Sequence, residues 1–213
     1  DPFSLPLEVL EHPVEDGAKK WRAQLYEMDR AEMARATEAD TRHHAALNTV
    51  DGFKRLLVLR CGSVLAAWRR EFDLDGNGRL TFNEFTNGVR RLNITVEMRT
   101  LWKQLGAAAT GYITLHEFDE ETDVLLSELH ERLLERYSNL LLAWLRGIDV
   151  LGNGCVNEEQ FVRACKKVGF SGDAKRLFAL MRPAKGTTYI SLKDFDIKAY
   201  LAFIRGDLRM LSE

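Results

Sequence analysis

Apolar residues recur four or seven positions apart over residues 115–145, a spacing that places side chains on one face of a helix. The residues concerned are Phe118, Leu125, Leu129, Leu133, Leu140 and Trp144. This pattern predicts one long helix. Over residues 16–48 the chain is rich in Ala, Glu and Arg and has only a thin apolar stripe, which predicts a second long helix with a largely solvated surface.

The N-terminal segment combines an arm with that solvated helix. Pro2, Pro6 and Pro13 exclude a regular helix and predict an extended arm. In the helix that follows, the stripe of Trp21, Leu25 and Met28 has the i, i+4, i+7 spacing of a segment that fills an apolar groove. Two interpretations stay open: this stripe occupies a groove of the same chain, or it simply adds to the core.

The rest of the chain is an internal repeat. Residues 65–73 match 141–149 at an offset of 76 (149 minus 73), and residues 111–119 match 188–196 at an offset of 77 (196 minus 119). Each copy contains two helix–loop–helix units. We therefore predict an all-α fold of two lobes joined by the long helix.

The predicted boundaries follow from the repeat. An N-terminal arm and long helix cover residues 1–52, the first pair of units covers 53–122, and the second pair covers 123–213. The chemistry is concentrated in the first unit.

Residues 73–84 satisfy the full spacing D-x-[DN]-x-[DN]-G-x5-E of a calcium loop. Calcium takes six to eight oxygen ligands, so a short loop must supply oxygens from alternating positions while it curls tightly. Gly78 permits the turn, Arg79 contributes only its carbonyl oxygen, and Glu84 supplies both carboxylate oxygens. The predicted ligands are Asp73, Asp75, Asn77, Arg79, Thr81 and Glu84.

On these residues the chain resembles the EF-hand family, and its paired units are similar to those of calmodulin and its relatives. The resemblance implies a calcium cofactor and two lobes of paired EF-hands. It also implies a short two-strand bridge between the loops of each pair, Leu80 with Ile113 and Val156 with Ile190. The other three loops depart from the family pattern. The loop at 106–117 has Gly, Ala and Thr at the positions of the first three ligands, and the loop at 183–194 has Lys185 and Thr188 where an acceptor and a glycine are needed. We expect neither to bind calcium.

The loop at 149–160 is intermediate. It keeps Asp149, Asn153 and Asn157, but Leu151 cannot bind a cation and Gln160 replaces the bidentate glutamate. We expect weak calcium binding or none there, and therefore a second lobe that calcium leaves nearly unchanged.

The amino-acid composition limits the classes of binding partner that we expect. The chain has 30 basic and 32 acidic residues, a balance that gives no reason to expect nucleic-acid binding. No apolar run reaches the roughly 18 residues of a membrane span.

Three cysteines without CxxC spacing favour buried free thiols in the cytoplasm or another reducing intracellular compartment. The first residue is Asp1 rather than Met, so organellar targeting stays open. Arg69, Arg70, Arg90 and Arg91 are interpreted as solvated helix faces.

The sequence contains no P-loop, GxGxxG, HExxH or GxSxG motif, so we expect no catalysis. The predicted function is a regulatory or adaptor module that binds a protein partner, either an amphipathic helix or a larger complex. The alternatives are a structural subunit with constitutively bound calcium and the calcium-binding part of a larger enzyme or channel. A total of five methionines favours a dedicated partner over a promiscuous groove.

Overall fold

The computed structural model describes residues 26–28, 30–35, 48–107, 110–184 and 186–207. The chain divides into two compact units, residues 1–46 and 47–213. In the first unit the described residues are helical and exposed, in agreement with part of the predicted N-terminal helix. The predicted arm, Trp21 and Leu25 lie outside the described residues, and Met28 is exposed.

The first repeat of the second unit contains five helices and two short strands. They are α1 (Val50–Cys61), α2 (Val64–Ala67), β1 (Leu80–Thr81), α3 (Phe82–Arg91), α4 (Met98–Gln104), β2 (Tyr112–Ile113) and α5 (Leu115–Phe118). Side-chain caps explain where the first two helices begin. Thr49 Oγ1 accepts a hydrogen bond from Gly52 N at 3.1 Å, and Ser63 Oγ accepts one from Ala66 N at 2.9 Å. After α2 the chain continues directly into a wider π-helical turn, Trp68–Phe72.

The second repeat has the same plan. Its elements are α6 (Glu120–Leu134), α7 (Leu140–Ala143), β3 (Cys155–Asn157), α8 (Glu158–Lys167), α9 (Ala174–Met181), β4 (Tyr189–Ser191), α10 (Leu192–Phe195) and α11 (Ile197–Arg205). A π-helical turn, Trp144–Ile148, follows α7 just as one follows α2. The described chain is thus mostly helical, which confirms the predicted class.

The strands pair as predicted. Leu80 lies opposite Ile113 in an antiparallel β1–β2 ladder, and Val156 lies opposite Ile190 in β3–β4. All four of these side chains are buried. Each ladder therefore joins the two loops of one repeat and anchors them in the core.

The predicted single helix over 115–145 is wrong in its extent. Asp119 has a nearly extended backbone (φ −155°, ψ 80°) that separates α5 from α6, and its carboxylate accepts a hydrogen bond from Thr122 Oγ1 at 2.8 Å. A second break precedes α7, where Asn139 is extended and its side chain accepts a hydrogen bond from Leu142 N at 2.9 Å. Asp119 binds a hydroxyl group and Asn139 a backbone amide of the helix that follows. Each residue therefore marks the boundary between one helix and the next.

The buried side chains of both repeats form one hydrophobic core. In the first repeat, the rings of Phe53, Phe72, Phe85 and Phe118 cluster with centroids 5.6 to 6.3 Å apart. Trp144 packs against Phe195 in the second repeat at 5.4 Å. Buried leucines of α6 belong to the same core. The two repeats are thus in contact, and their predicted division into separate lobes near residue 122 stays a prediction.

Candidate metal site

The carboxylate of Asp73 organises the loop at 73–84. It lies at the end of the π-helical turn, is 6% exposed, and accepts hydrogen bonds from two backbone amides of the loop. Its Oδ1 accepts from Asn77 N at 3.0 Å and its Oδ2 from Gly78 N at 3.1 Å. One side chain therefore holds the first half of the loop in a tight turn.

The next two predicted ligands continue the same curl. Asp75 Oδ1 accepts from Asn77 N at 3.2 Å, and Asn77 Oδ1 accepts from Arg79 N at 2.6 Å. Gly78 has φ +74°, a left-handed conformation that an L side chain rarely adopts. The chain thus turns around the oxygens of residues 73, 75 and 77.

Glu84 closes the loop from the first turn of α3. Its Oε2 accepts hydrogen bonds from Thr81 N at 2.8 Å and Thr81 Oγ1 at 2.6 Å, while Thr81 Oγ1 caps the helix at Glu84 N. This reciprocal arrangement is a capping box. It fixes the last two predicted side-chain ligands relative to each other and to strand β1.

Negative charge is crowded in this loop. Burial is the main cause that raises the pKa of Asp73 to about 6, and hydrogen bonding to and repulsion by the neighbouring Asp75 carboxyl contribute to the same shift. The shift indicates that a buried, ionised Asp73 beside Asp75 is unfavourable here without a compensating positive charge. A bound cation would supply that charge.

The donor set suits a hard cation. It consists only of oxygens: three carboxylates, one amide, one hydroxyl and the carbonyl of Arg79, with no thiolate or imidazole. Among the described residues, no three His, Cys, Asp or Glu side chains gather closely enough to hold a metal ion. In the loop, Glu84 is engaged in the capping box, so calcium binding would require its carboxylate to approach those of Asp73 and Asp75. The residue types and the turn fit calcium, and the last ligand has to move.

The loop at 149–160 has the same backbone arrangement with fewer donors. Asp149 Oδ1 accepts from Asn153 N at 3.1 Å and its Oδ2 from Gly154 N at 2.7 Å. Asn157 and Gln160 form the matching capping box. Leu151 stands where the first loop has Asp75, and its side chain is 68% exposed.

The remaining two loops keep little besides their final cap. Thr114 and Glu117 form one capping box, and Ser191 and Asp194 form the other. Asp194 is buried and also lies 3.6 Å from Arg70 Nε. The carboxylates at the ends of these loops therefore serve helix capping and packing.

Arg69 was predicted to be solvated, and this is wrong. Its side chain is 6% exposed and donates a hydrogen bond to the backbone carbonyl of Asp194. Burial lowers its pKa to about 10, an effect that the nearby carboxylates of Asp196, Asp194 and Asp73 partly offset. The π-helical turn explains the error, because its extra residue changes which positions face inward from those of a regular α-helix.

Beside the loop lies a polar cavity of about 380 Å³, which the sequence did not predict. Its lining includes Arg69, Asp73 and Gly76 from the first repeat and His130 and Asp196 from the second. Burial lowers the pKa of His130 to about 4, and its Nε2 has no hydrogen-bond partner among the described residues. The neutral imidazole of His130 therefore lines a cavity together with the charged side chains of Arg69 and Asp196.

Two predictions about environment can be compared with the structure. Cys61, Cys155 and Cys165 are free thiols; Cys61 and Cys165 are buried as predicted, whereas Cys155 is only half-buried. Burial raises the pKa of Cys165 to about 12. None of the described helices is both long and apolar enough to cross a membrane.

Neither protein-family models nor curated proteins gave a match to this chain.

Proposed function

We propose that this chain is an EF-hand calcium-binding protein in which the loop at 73–84 binds one calcium ion. The observation that carries the proposal is the combination of an all-oxygen donor set with a turn already closed by the Asp73 carboxylate. The paired strands support it, because β1 and β2 join this loop to a second, ligand-poor loop of the same repeat.

Calcium would act here by neutralising crowded carboxylates. The raised pKa of Asp73 reports the free-energy cost of ionising a buried carboxyl beside Asp75, and a divalent ion offsets that cost. Recruitment of Glu84 would draw the start of α3 toward the loop. Such a movement could expose or reshape an apolar groove for a partner helix, which is the regulatory function we propose.

A structural adaptor with constitutively bound calcium is the second candidate. The observation that favours it is the single core shared by both repeats, because two repeats packed together resist independent opening. A calcium-binding part of a larger enzyme or channel is a further proposal of the same kind. In each case the partner is a protein.

The first experiment is a calorimetric titration of the purified chain with calcium, with magnesium and zinc in parallel. We expect one calcium site, since only the loop at 73–84 carries a full ligand set. Two sites of similar affinity would contradict our interpretation of the loop at 149–160. A titration without heat or any spectroscopic change would overturn the proposed function.

The second experiment separates regulator from adaptor. The chain is immobilised and partners are captured with calcium and with a chelator, using the Glu84→Gln variant as the matched control. A partner held only with calcium, and lost in the variant, supports the regulator. A partner held in both conditions supports the adaptor.

A further inference from the structure

The predicted calcium loop lies against the start of α11, a helix of the fourth unit. A Cβ added to Gly76 would lie 3.0 Å from Ile197 Cγ2 and 3.0 Å from the backbone nitrogen of Lys198. Both distances are shorter than ordinary carbon contacts. Gly76 is the fourth residue of the loop, between Asp75 and Asn77, so the backbone that carries two predicted ligands rests on α11.

A second contact ties the helix that enters the loop to the same unit. Arg69, four residues before Asp73, donates a hydrogen bond to the Asp194 carbonyl in a buried environment. Arg70 donates to the Pro183 carbonyl at 3.0 Å and lies 3.6 Å from the Asp194 carboxylate. The fourth unit therefore touches the calcium loop directly and holds the segment on its N-terminal side.

We propose that the fourth unit, which has no calcium ligands of its own, positions the calcium loop of the first unit through Ile197. This inference rests on the proposed calcium binding at 73–84. Ile197 is a positioning residue: it is buried against the loop backbone and does not touch the ion. Because linkage is reciprocal, calcium binding and the docking of α11 then favour each other.

This inference differs from the expectation of a second lobe that calcium leaves unchanged. If the loop tightens around calcium while it rests on Ile197 and Lys198, the ordering is transmitted to the first turn of α11. The fourth unit would then be a rigid support for the loop, a role that requires no ligands of its own.

The main test is the calcium affinity of Ile197→Ala, measured by calorimetry at a temperature where thermal melts show the variant folded. We expect an affinity roughly fivefold to tenfold weaker than in the unmodified chain, the lower range of typical coupling between sites. Ile197→Val keeps the Cγ2 methyl that faces Gly76 and should restore most of the affinity.

A matched control removes the same atoms elsewhere in the fourth unit. Ile190 is fully buried on β4 opposite Val156, so Ile190→Ala creates a similar cavity away from the calcium loop. We expect it to lower the melting temperature and to leave calcium affinity within about twofold of the unmodified value. Equal losses in Ile190→Ala and Ile197→Ala would show a general loss of stability and overturn the proposal.

A second measurement does not depend on the stability of an Ile197 variant. Gly76→Ala places a methyl group against α11, whereas Gly152→Ala makes the same change at the equivalent position of the third loop. The two glycines have nearly equal φ angles, +68° and +67°, and no atom of the described chain would meet a Cβ on Gly152 within 4 Å. We expect Gly76→Ala alone to speed amide exchange in residues 199–203 of ion-free protein, and equal exchange in the two variants would overturn the contact.

The last measurement is the effect of calcium on amide exchange in α11. In the unmodified chain, calcium should slow amide exchange in residues 199–203, and in Glu84→Gln it should not. A titration that detects no calcium binding overturns both this inference and the proposed function. Normal calcium binding, with unchanged exchange in α11 and unchanged affinity in Ile197→Ala, overturns this inference alone.

Discussion

The loops at 73–84 and 149–160 share one backbone and differ in the side chains that could hold an ion. In each, an aspartate at the first position accepts hydrogen bonds from the backbone amides of the fifth and sixth residues. In each, a π-helical turn starting at a tryptophan precedes the loop, and a capping box ends it. The fold of such a loop therefore does not require a full set of ligands.

The difference in charged ligands lies at two positions. Asp75 and Glu84 of the first loop correspond to Leu151 and Gln160 of the third, so the ligand positions of the first loop hold three carboxylates and those of the third hold one. Asp75 adds one hydrogen bond to the turn, from Asn77 N, and Glu84 makes the same capping bond as Gln160. Burial and the Asp75 carboxyl together raise the pKa of Asp73, and a bound calcium ion can offset the cost of ionising that carboxyl.

Glu84→Gln gives the first loop the last residue of the third and should have the largest effect. An amide cannot supply two anionic oxygens, so we expect calcium affinity to fall by roughly two orders of magnitude. The capping box should survive, because Gln160 makes the same hydrogen bonds in the third loop. Calorimetry measures the affinity, and circular dichroism checks that the helix content is retained.

An unchanged affinity in Glu84→Gln would show that the ion binds elsewhere. Glu117→Gln is the matched control, because Glu117 forms the same capping box at the end of the second loop. This control should leave calcium affinity within about twofold, since its loop lacks the other ligands.

The converse change should create a site. In the double variant Leu151→Asp and Gln160→Glu, the third loop gains the two carboxylates that distinguish the first. Because the backbone is already closed by Asp149, we expect a second calcium site weaker than the first by roughly tenfold or more. A titration should then reach two ions per chain, and a stoichiometry of one would show that side-chain donors alone do not make the site.

Protons should compete with calcium for the loop at 73–84 and lower its calcium affinity at acid pH. Burial and the Asp75 carboxyl raise the pKa of Asp73 to about 6, so below that pH the ion-free loop holds a proton that calcium must displace. Affinity should be flat from pH 8 to 7 and fall by up to about tenfold per unit below pH 6. Titrations at pH 7.5, 6.5 and 5.5 check this, and constant affinity to pH 5 would contradict it.

The same shift fixes the sign of the effect on stability. Between the unperturbed pKa of 3.8 and about 6, the folded ion-free chain binds more protons at Asp73 than the unfolded chain does. This group therefore lowers the stability of the ion-free fold as pH rises through that window. Saturating calcium should remove the dependence, and melting curves at pH 5 and 7 with and without the ion measure it.

What could be predicted from the sequence depended on local, repeated chemistry. The Leu80–Ile113 and Val156–Ile190 pairs followed from the resemblance of the loops to paired EF-hand loops, and the structure confirms the pairs. The turn around Asp73 followed from glycine and Asx side chains at fixed spacing, whose effects act within five residues. Calcium binding at these residues stays a prediction.

What could not be predicted depended on local departures from regular helix and on contacts between the repeats. The helix break at Asp119 lies within a stretch whose apolar spacing is continuous, so periodicity could not reveal it. Arg69 looked like a surface residue because the π-helical turn that buries it has no clear sequence signal. The contact of Gly76 with Ile197 joins residues more than a hundred positions apart, and no local pattern records it.

The smallest effect concerns the glycines at the sixth position of the two loops, Gly78 and Gly154. Their φ angles are +74° and +77°, and no atom of the described chain would meet a Cβ on either within 4 Å. Substitution by alanine therefore costs only the left-handed backbone strain, about 1–2 kcal/mol at each site. We expect Gly78→Ala and Gly154→Ala to lower the melting temperature of the ion-free chain equally, by several degrees. With calcium present the two should separate, because strain in the first loop also opposes binding while strain in the third does not. Equal behaviour with calcium would mean that the ion does not use the turn at Gly78.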